Sequence, residues 1–358
     1  MRPARADRDP RKKRGRAVAH VLAGAWRPEP APLVSEELLC EAAPRLLESG
    51  SAALAWWRLR ASPLRSSPAG FDFQQSYRLN TLEAALQERE IGESVARLRS
   101  AGIEPLLGKG WAAARLYPAP GMRPRGDVDL YVTAEQYLIA ADALRTEQGA
   151  EYRVDLHRGF ADLDDRNPRD LHDRASRVRI DGTEVLVFSP EDHLRLLSLH
   201  LLRHGAWRSL WLCDVAAAVE SLPTDFDWEY LGQGAPRRTQ WVACVLALAG
   251  QLLEARTDGV PAAWKQDVPS WMVATVLREW GGPSLPHGRR EPMATSLLRP
   301  ADAVQGLLLR WPNPIEATTG LRASFNNFPR VPFQVAECLR RIAAFGWGGL
   351  QKRLARQA

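Results

Sequence analysis

The sequence predicts an α+β fold, a small mixed β-sheet core with N-terminal and C-terminal helical regions. Three observations carry this. Residues 93–188 contain short alternating apolar runs broken by Gly and Pro, the pattern of strands and turns. Residues 30–92 and 189–358 instead repeat apolar residues at helical spacing. The chain has 358 residues, 45% hydrophobic and 25% charged, enough to bury a core of this kind.

In chain order, residues 1–29 come first. Residues 2–16 hold eight Arg or Lys against only Asp7 and Asp9, which reads as a disordered basic leader. A secretory signal is not expected, because His20 interrupts the apolar run at 17–23. In the N-terminal helical region, 30–92, Leu38, Leu39, Ala42 and Leu46 mark one helix and Leu82, Ala85 and Leu86 another, with a loop at 62–70 between them. The core, 93–188, opens with a helix at 94–101 ended by Gly102. A strand at 103–107 follows, then a turn at Gly108-Lys109-Gly110 and a short helix at 111–116 stopped by Pro118. After a loop at 118–126, residues 128–132 alternate as a strand. Thr133, with Gln136 at capping-box spacing, starts a helix running to about 147. Residues 152–157 alternate again, and 178–180 and 184–188 flank Asp181-Gly182, a hairpin signal. The helices are expected on one side of this sheet. The C-terminal helical region, 189–358, begins at Ser189-Pro190 with Asp192, a cap followed by a first-turn proline and an acid. Leu194, Leu197 and Leu201 give it an apolar stripe, and further helices are expected at 207–221, 239–253, 271–280 and 335–344.

Composition narrows the function. The net charge is +6, much of it in the leader, so the body is near neutral and a nucleic-acid partner is not favoured. Cys40, Cys213, Cys244 and Cys338 are far apart and fit reduced thiols, not a disulfide frame or zinc ribbon. No apolar run approaches the ~20 residues of a membrane helix, so a cytoplasmic protein without membrane contact is expected.

Chemistry concentrates at residues 126–132. Side chains alternate along a strand, so Asp127 and Asp129 share one face while Val128, Leu130 and Val132 turn to a core. Neighbouring carboxylates repel, and a divalent cation removes the conflict. Carboxylate oxygens suit Mg²⁺, which also takes phosphates as ligands, with Mn²⁺ an alternative. At 152–157, Val154 and Leu156 take the core face, leaving Asp155 and His157 on the other. If this strand pairs beside the first, Asp155 joins the two acids as metal ligand or general base. Gly108, Lys109 and Gly110 lie between a strand and a helix start, where backbone N–H groups and a lysine suit a phosphate. Arg123 and Arg125 could contact further phosphates.

Gly108-Lys109-Gly110, then Gly126-Asp127-Val128-Asp129-Leu130, then Asp155 on a later strand resembles the polymerase-beta nucleotidyltransferase superfamily. Lys109-Gly110-Trp111-Ala112-Ala113-Ala114-Arg115-Leu116-Tyr117-Pro118, Arg123-Pro124-Arg125-Gly126-Asp127 and Val154-Asp155-Leu156-His157 are similar to a bacterial nucleotidyltransferase family often encoded beside peptide-maturation genes, those of lasso peptides included. The resemblance covers about residues 103–188, and more weakly the helix of His200 and His204. It implies a nucleotidyltransferase sheet. It implies Mg²⁺-dependent transfer of a nucleoside monophosphate from a nucleoside triphosphate to an acceptor, with release of pyrophosphate. ATP is the default donor only because it is abundant, and a peptide or small molecule is the expected acceptor. The wider superfamily has Gly-Ser or Gly-Gly where this chain has Lys109-Gly110.

Each signal has a plainer reading beside it. Asp127 and Asp129 could be solvated acids, Asp155 could pair with Arg153 or Arg158, and His157 could orient a neighbour. His200 and His204 share a helix face. No third ligand of a zinc site is evident beyond Asp214 as a candidate, so structural hydrogen bonding is favoured, with a place on the acceptor side of the cleft as the alternative. Two rival functions stay open. One is a non-catalytic nucleotide- or peptide-binding module that recruits enzymes, and the other a toxin-like enzyme acting on tRNA.

Overall fold

A computed structural model describes residues 9–33, 35–145, 153–283 and 311–354. Four helices come first: α1 (Pro10–Leu22), α2 (Glu36–Ser49), α3 (Ala52–Leu59) and α4 (Pro68–Ser100). The sheet segment follows as β1 (Leu106–Leu107), α5 (Lys109–Ala114), β2 (Val128–Val132), α6 (Tyr137–Ala143), β3 (Val154–Arg158), α7 (Pro168–Asp173), β4 (Ser176–Ile180) and β5 (Thr183–Val187). The remaining elements are helical: α8 (Pro190–Arg203), α9 (Ser209–Glu220), α10 (Trp228–Gly232), α11 (Pro236–Leu253), α12 (Ser270–Gly281), α13 (Pro314–Gly320) and α14 (Val331–Leu354). The fold is α+β, as expected.

Local chemistry explains the boundaries. Ser67 accepts a hydrogen bond from the Gly70 N–H and Pro68 starts α4. The helix then runs unbroken to Ser100, across residue 92. Ser189 accepts from the Asp192 N–H at the head of α8. Asp181 and Gly182 have φ of 44° and 78°, both in the left-handed region that a two-residue hairpin requires. Thr133 pairs with the Gln136 side chain ahead of α6. The expected end of that helix near 147 and the strand start at Tyr152 lie outside the described residues.

The sheet order is β3-β2-β1-β5-β4, with β2/β3 and β1/β5 parallel and the other two pairs antiparallel. Val128, Leu130, Val132 and Val185 pack one face against Ile91, Val95 and Leu98 of α4. Leu106, Tyr131 and Phe188 pack the opposite face against Phe160, Leu163 and Leu196 of α8. Helices therefore cover both faces, not one. The reason lies in Tyr131 and Phe188, whose rings put apolar area on the face read as polar and require cover.

The disordered leader is also corrected, for the part described. Asp9 caps α1, and Ala17, Val18, Val21 and Leu22 of that helix are buried. α1 lies along α12 so closely that a Cβ on Gly15 would stand 2.0 Å from the Leu277 carbonyl oxygen. Arg11, Lys13 and Arg16 stand exposed on this helix, and the run of cations masked the stripe in the sequence. Among the described residues, no helix is long and apolar enough to cross a membrane.

Candidate active site

The site forms where the second face of β2 and β3 emerges from its aromatic packing. The parallel pairing sets Asp129 directly beside Asp155 and Tyr131 beside His157. The His157 ring stacks on Tyr131 with centroids 4.1 Å apart and planes 14° off parallel, and Tyr131 in turn meets Phe160 and Phe188. This stack fixes where the imidazole points. Its Nε2 lies 2.9 Å from Asp129 Oδ1 and 3.2 Å from Asp155 Oδ2.

Gly108 and Lys109 close the site from the opposite side. A Cβ on Gly108 would meet Phe188 and Tyr131 ring carbons at 3.0 Å, a tight fit that favours glycine against the aromatic stack. Lys109 follows with φ 44° and a buried side chain. Its ammonium sits 2.7 Å from Asp129 Oδ1 and 3.1 Å from His157 Nε2. A Cβ on Gly110 would approach the Asp127 carbonyl oxygen at 3.1 Å, which keeps this position small. α5 is only six residues long, so its N-terminal dipole would offer little to an anion.

Burial opposes ionisation of Asp129, but the hydrogen bond with His157 and the Lys109 ammonium outweigh it and hold its carboxyl below the usual range. Burial raises the Asp162 carboxyl, close by, and raises the Tyr131 phenol out of reach of any physiological pH.

Among the described residues, the atoms able to hold a metal that come together are those of Asp129, Asp155 and His157, all within 4.8 Å of one another. Their hydrogen bonding tests the fit. One imidazole nitrogen faces two carboxylates, and its single proton can serve only one of them. Two carboxylates and an imidazole nitrogen converging on one point are a donor set that suits a divalent cation. Asp127 precedes β2, and it is exposed at the rim of the same cleft, outside the converging set.

The cleft is about 370 Å³ and is walled by β2 and β3 on one side and by α8 and α9 on the other. Lys109, Gly110, Arg123, Arg125, Asp127, Asp129, Asp155, His157, His200 and His204 all line it, whereas Gly108 lies behind the lining. Arg123 is committed. Its Nε and Nη2 donate to Asp214, whose carboxylate also accepts from the Tyr117 hydroxyl at 2.8 Å. Arg125 pairs with Glu90 of α4. Both arginines thus brace the loop before Asp127. His200 and His204 stand 4.5 Å apart against Trp211, and burial, then the charge of Lys109, keep His200 far below the ordinary histidine value. No third metal ligand joins them among the described residues.

Two arginines in the wall were not singled out in the sequence. Arg203 faces the cleft and bonds Asp162 at 2.9 Å. Arg208 donates to the Ser49 carbonyl, and burial followed by the nearby Arg123 charge lowers it to about 10. Spacing alone could have flagged them, since Arg203 follows His200 on α8 and Arg208 lies between Trp207 and Trp211.

Residues 47–253, more than half the chain, match the family described as "Uncharacterised nucleotidyltransferase". The chain belongs to that nucleotidyltransferase family. The matched span runs from α2 to the end of α11, so it takes in the whole sheet and the helices that wall the cleft, and it identifies the protein as an enzyme of this type. Among solved structures, an antigenic nucleotidyltransferase-like protein from Paracoccidioides brasiliensis is similar at 19% identity over 48% of this chain and 93% of that one, with a TM-score of 0.34. No curated protein matches.

Proposed function

We propose that this nucleotidyltransferase moves a nucleoside monophosphate from a nucleoside triphosphate to an acceptor hydroxyl, releasing pyrophosphate, with Mg²⁺ or Mn²⁺ at Asp129, Asp155 and His157. The register that sets Asp129 beside Asp155, with the Lys109 ammonium against Asp129, carries the reading. Asp127 adds an exposed carboxylate at the rim. A bound divalent cation would neutralise phosphate charge and assist the attacking and leaving oxygens of an in-line displacement. Lys109, Arg203 and Arg208 supply positive charge to the triphosphate. Asp155, whose side chain is 53% exposed, is the carboxylate open to an incoming hydroxyl and the group to accept its proton.

The acceptor is a peptide or small molecule entering beside Arg203, where a second cavity of about 340 Å³ opens. That cavity mixes Arg238, Arg340 and Arg341 with Asp164, Glu316 and Glu337, a lining that suits a zwitterionic chain better than a polyanion such as tRNA. His200 and His204 form the wall nearer the reaction.

The test is pyrophosphate release and transfer of α-phosphate label from each of the four nucleoside triphosphates, with pooled peptide and hydroxyl-bearing acceptors. Wild type is expected to turn over only with Mg²⁺ or Mn²⁺. Asp129→Asn and Asp155→Asn should each lose roughly 100-fold or more. Nucleotide binding without any release would instead support the non-catalytic binding module.

A further inference from the structure

Lys109 stands where a divalent cation would have to bind. Its ammonium touches Asp129 and His157, two of the three groups in the converging set. This is not a surface lysine resting on a nearby acid. The residue adopts φ 44°, a left-handed conformation that costs a non-glycine residue energy, and its side chain is only 8% exposed. The ammonium stands over the Tyr131 ring, 5.6 Å from its centroid. Fold and aromatic stack together deliver one positive charge to the point where the ligand atoms meet.

Charge then decides what that point accepts. Asp129 and Asp155 bring two negative charges, and Lys109 cancels one. A divalent cation at Asp129 would stand against a positive charge already in contact with the same oxygen, and like charges at such distances repel strongly. The lysine stem has four rotatable carbons, and the cleft in front of it is open, so the ammonium can move without the backbone. A triphosphate entering the cleft offers it stronger partners than one carboxylate.

We infer that Lys109 is an internal counter-ion that holds the Asp129–Asp155–His157 site closed to metal until a triphosphate arrives and draws the ammonium away. The inference rests on the nucleotidyl-transfer reading. It makes metal and nucleotide bind as a pair, so that the nucleotide-free enzyme stays metal-poor. Lys109 is thus a residue that couples the order of binding, a role beyond simple phosphate contact.

Binding of Mn²⁺ to nucleotide-free protein, read from the electron paramagnetic resonance signal of free Mn²⁺, tests it. Lys109→Met is expected to bind Mn²⁺ about tenfold tighter than wild type or better, since a unit charge in contact with the site has gone. Lys109→Arg, which keeps the charge, should stay near wild type. Adding Asp129→Asn to Lys109→Met should abolish the gain. Circular dichroism and melting temperature check that each variant folds, and Lys109→Gln takes the place of Lys109→Met if that protein does not. Equal Mn²⁺ affinity in wild type and the uncharged variant overturns the counter-ion role. If wild type then still releases pyrophosphate with Mg²⁺, the transfer reading survives without it. Absence of Mn²⁺ binding in the uncharged variant, together with absence of pyrophosphate release by wild type, overturns the two together.

Discussion

Asp214 is fully buried, and the Arg123 guanidinium and the Tyr117 hydroxyl both depend on it. Removing one member of a buried pair leaves the other charge without compensation, so Asp214→Ala should cost about 3–5 kcal/mol. Tyr117→Phe removes one hydrogen bond and should cost only about 1–2 kcal/mol. Urea unfolding of both variants checks this, and equal small losses would show that the pair does not brace the cleft wall. His193 makes a second residue-scale prediction. Burial, then the charges of Arg115 and Arg123, lower it to about 3, so it is neutral in the fold. The unfolded chain takes up a proton at this residue below its ordinary value near 6.5, which the fold does not until about 3. Stability is therefore complete above 6.5 and declines as the pH falls toward 3, by at most about 1.4 kcal/mol per pH unit from this group. His193→Gln should flatten the fall in denaturant stability between pH 6.5 and 4, leaving a remainder from His200. Parallel pH profiles for the two proteins would contradict a buried neutral His193.

At the scale of elements, the α1–α12 contact is the one the sequence hid. Gly15 and Gly281 let these helices touch backbone to backbone, and a Cβ on Gly281 would fall 1.8 Å from the Arg11 carbonyl oxygen. Gly15→Leu should unseat α1 at a cost of about 2–4 kcal/mol, measured as a drop in melting temperature with loss of helical circular dichroism. An unchanged melting temperature would mean that α1 contributes nothing to the core. The sheet was far more legible. Alternation at β2 and β3, the Asp-Gly hairpin and the Ser189 cap are local signals, and each appears where the sequence puts it. What depends on distant partners was not legible. Alternation showed which acids share a face but not that β2 begins its pairing only at Val128, leaving the Asp127 side chain at the rim. Nor could a turn residue's sequence neighbours reveal that Lys109 reaches back to Asp129. The commitment of Arg123 to Asp214 likewise joins residues 91 apart in the chain.

For the whole molecule, the family match and the cleft describe one machine. A five-stranded sheet presents acids, and α8 and α9 close over them with histidines and arginines. The α1–α12 contact lies outside this cleft, so its variants should change stability without changing nucleotide affinity. The central claim is that the Asp129–Asp155–His157 cluster binds metal and nucleotide together. Thermal stability with each nucleoside triphosphate, with and without Mg²⁺, tests it most directly when wild type is compared with Asp155→Asn, an exposed substitution that leaves the fold alone. A ligand that binds the native state raises the melting temperature by mass action. The account predicts little shift with Mg²⁺ alone, a clear rise with Mg²⁺ and at least one triphosphate, and no such rise in Asp155→Asn. A wild type indifferent to every triphosphate, or an Asp155→Asn protein that responds as wild type does, would contradict it.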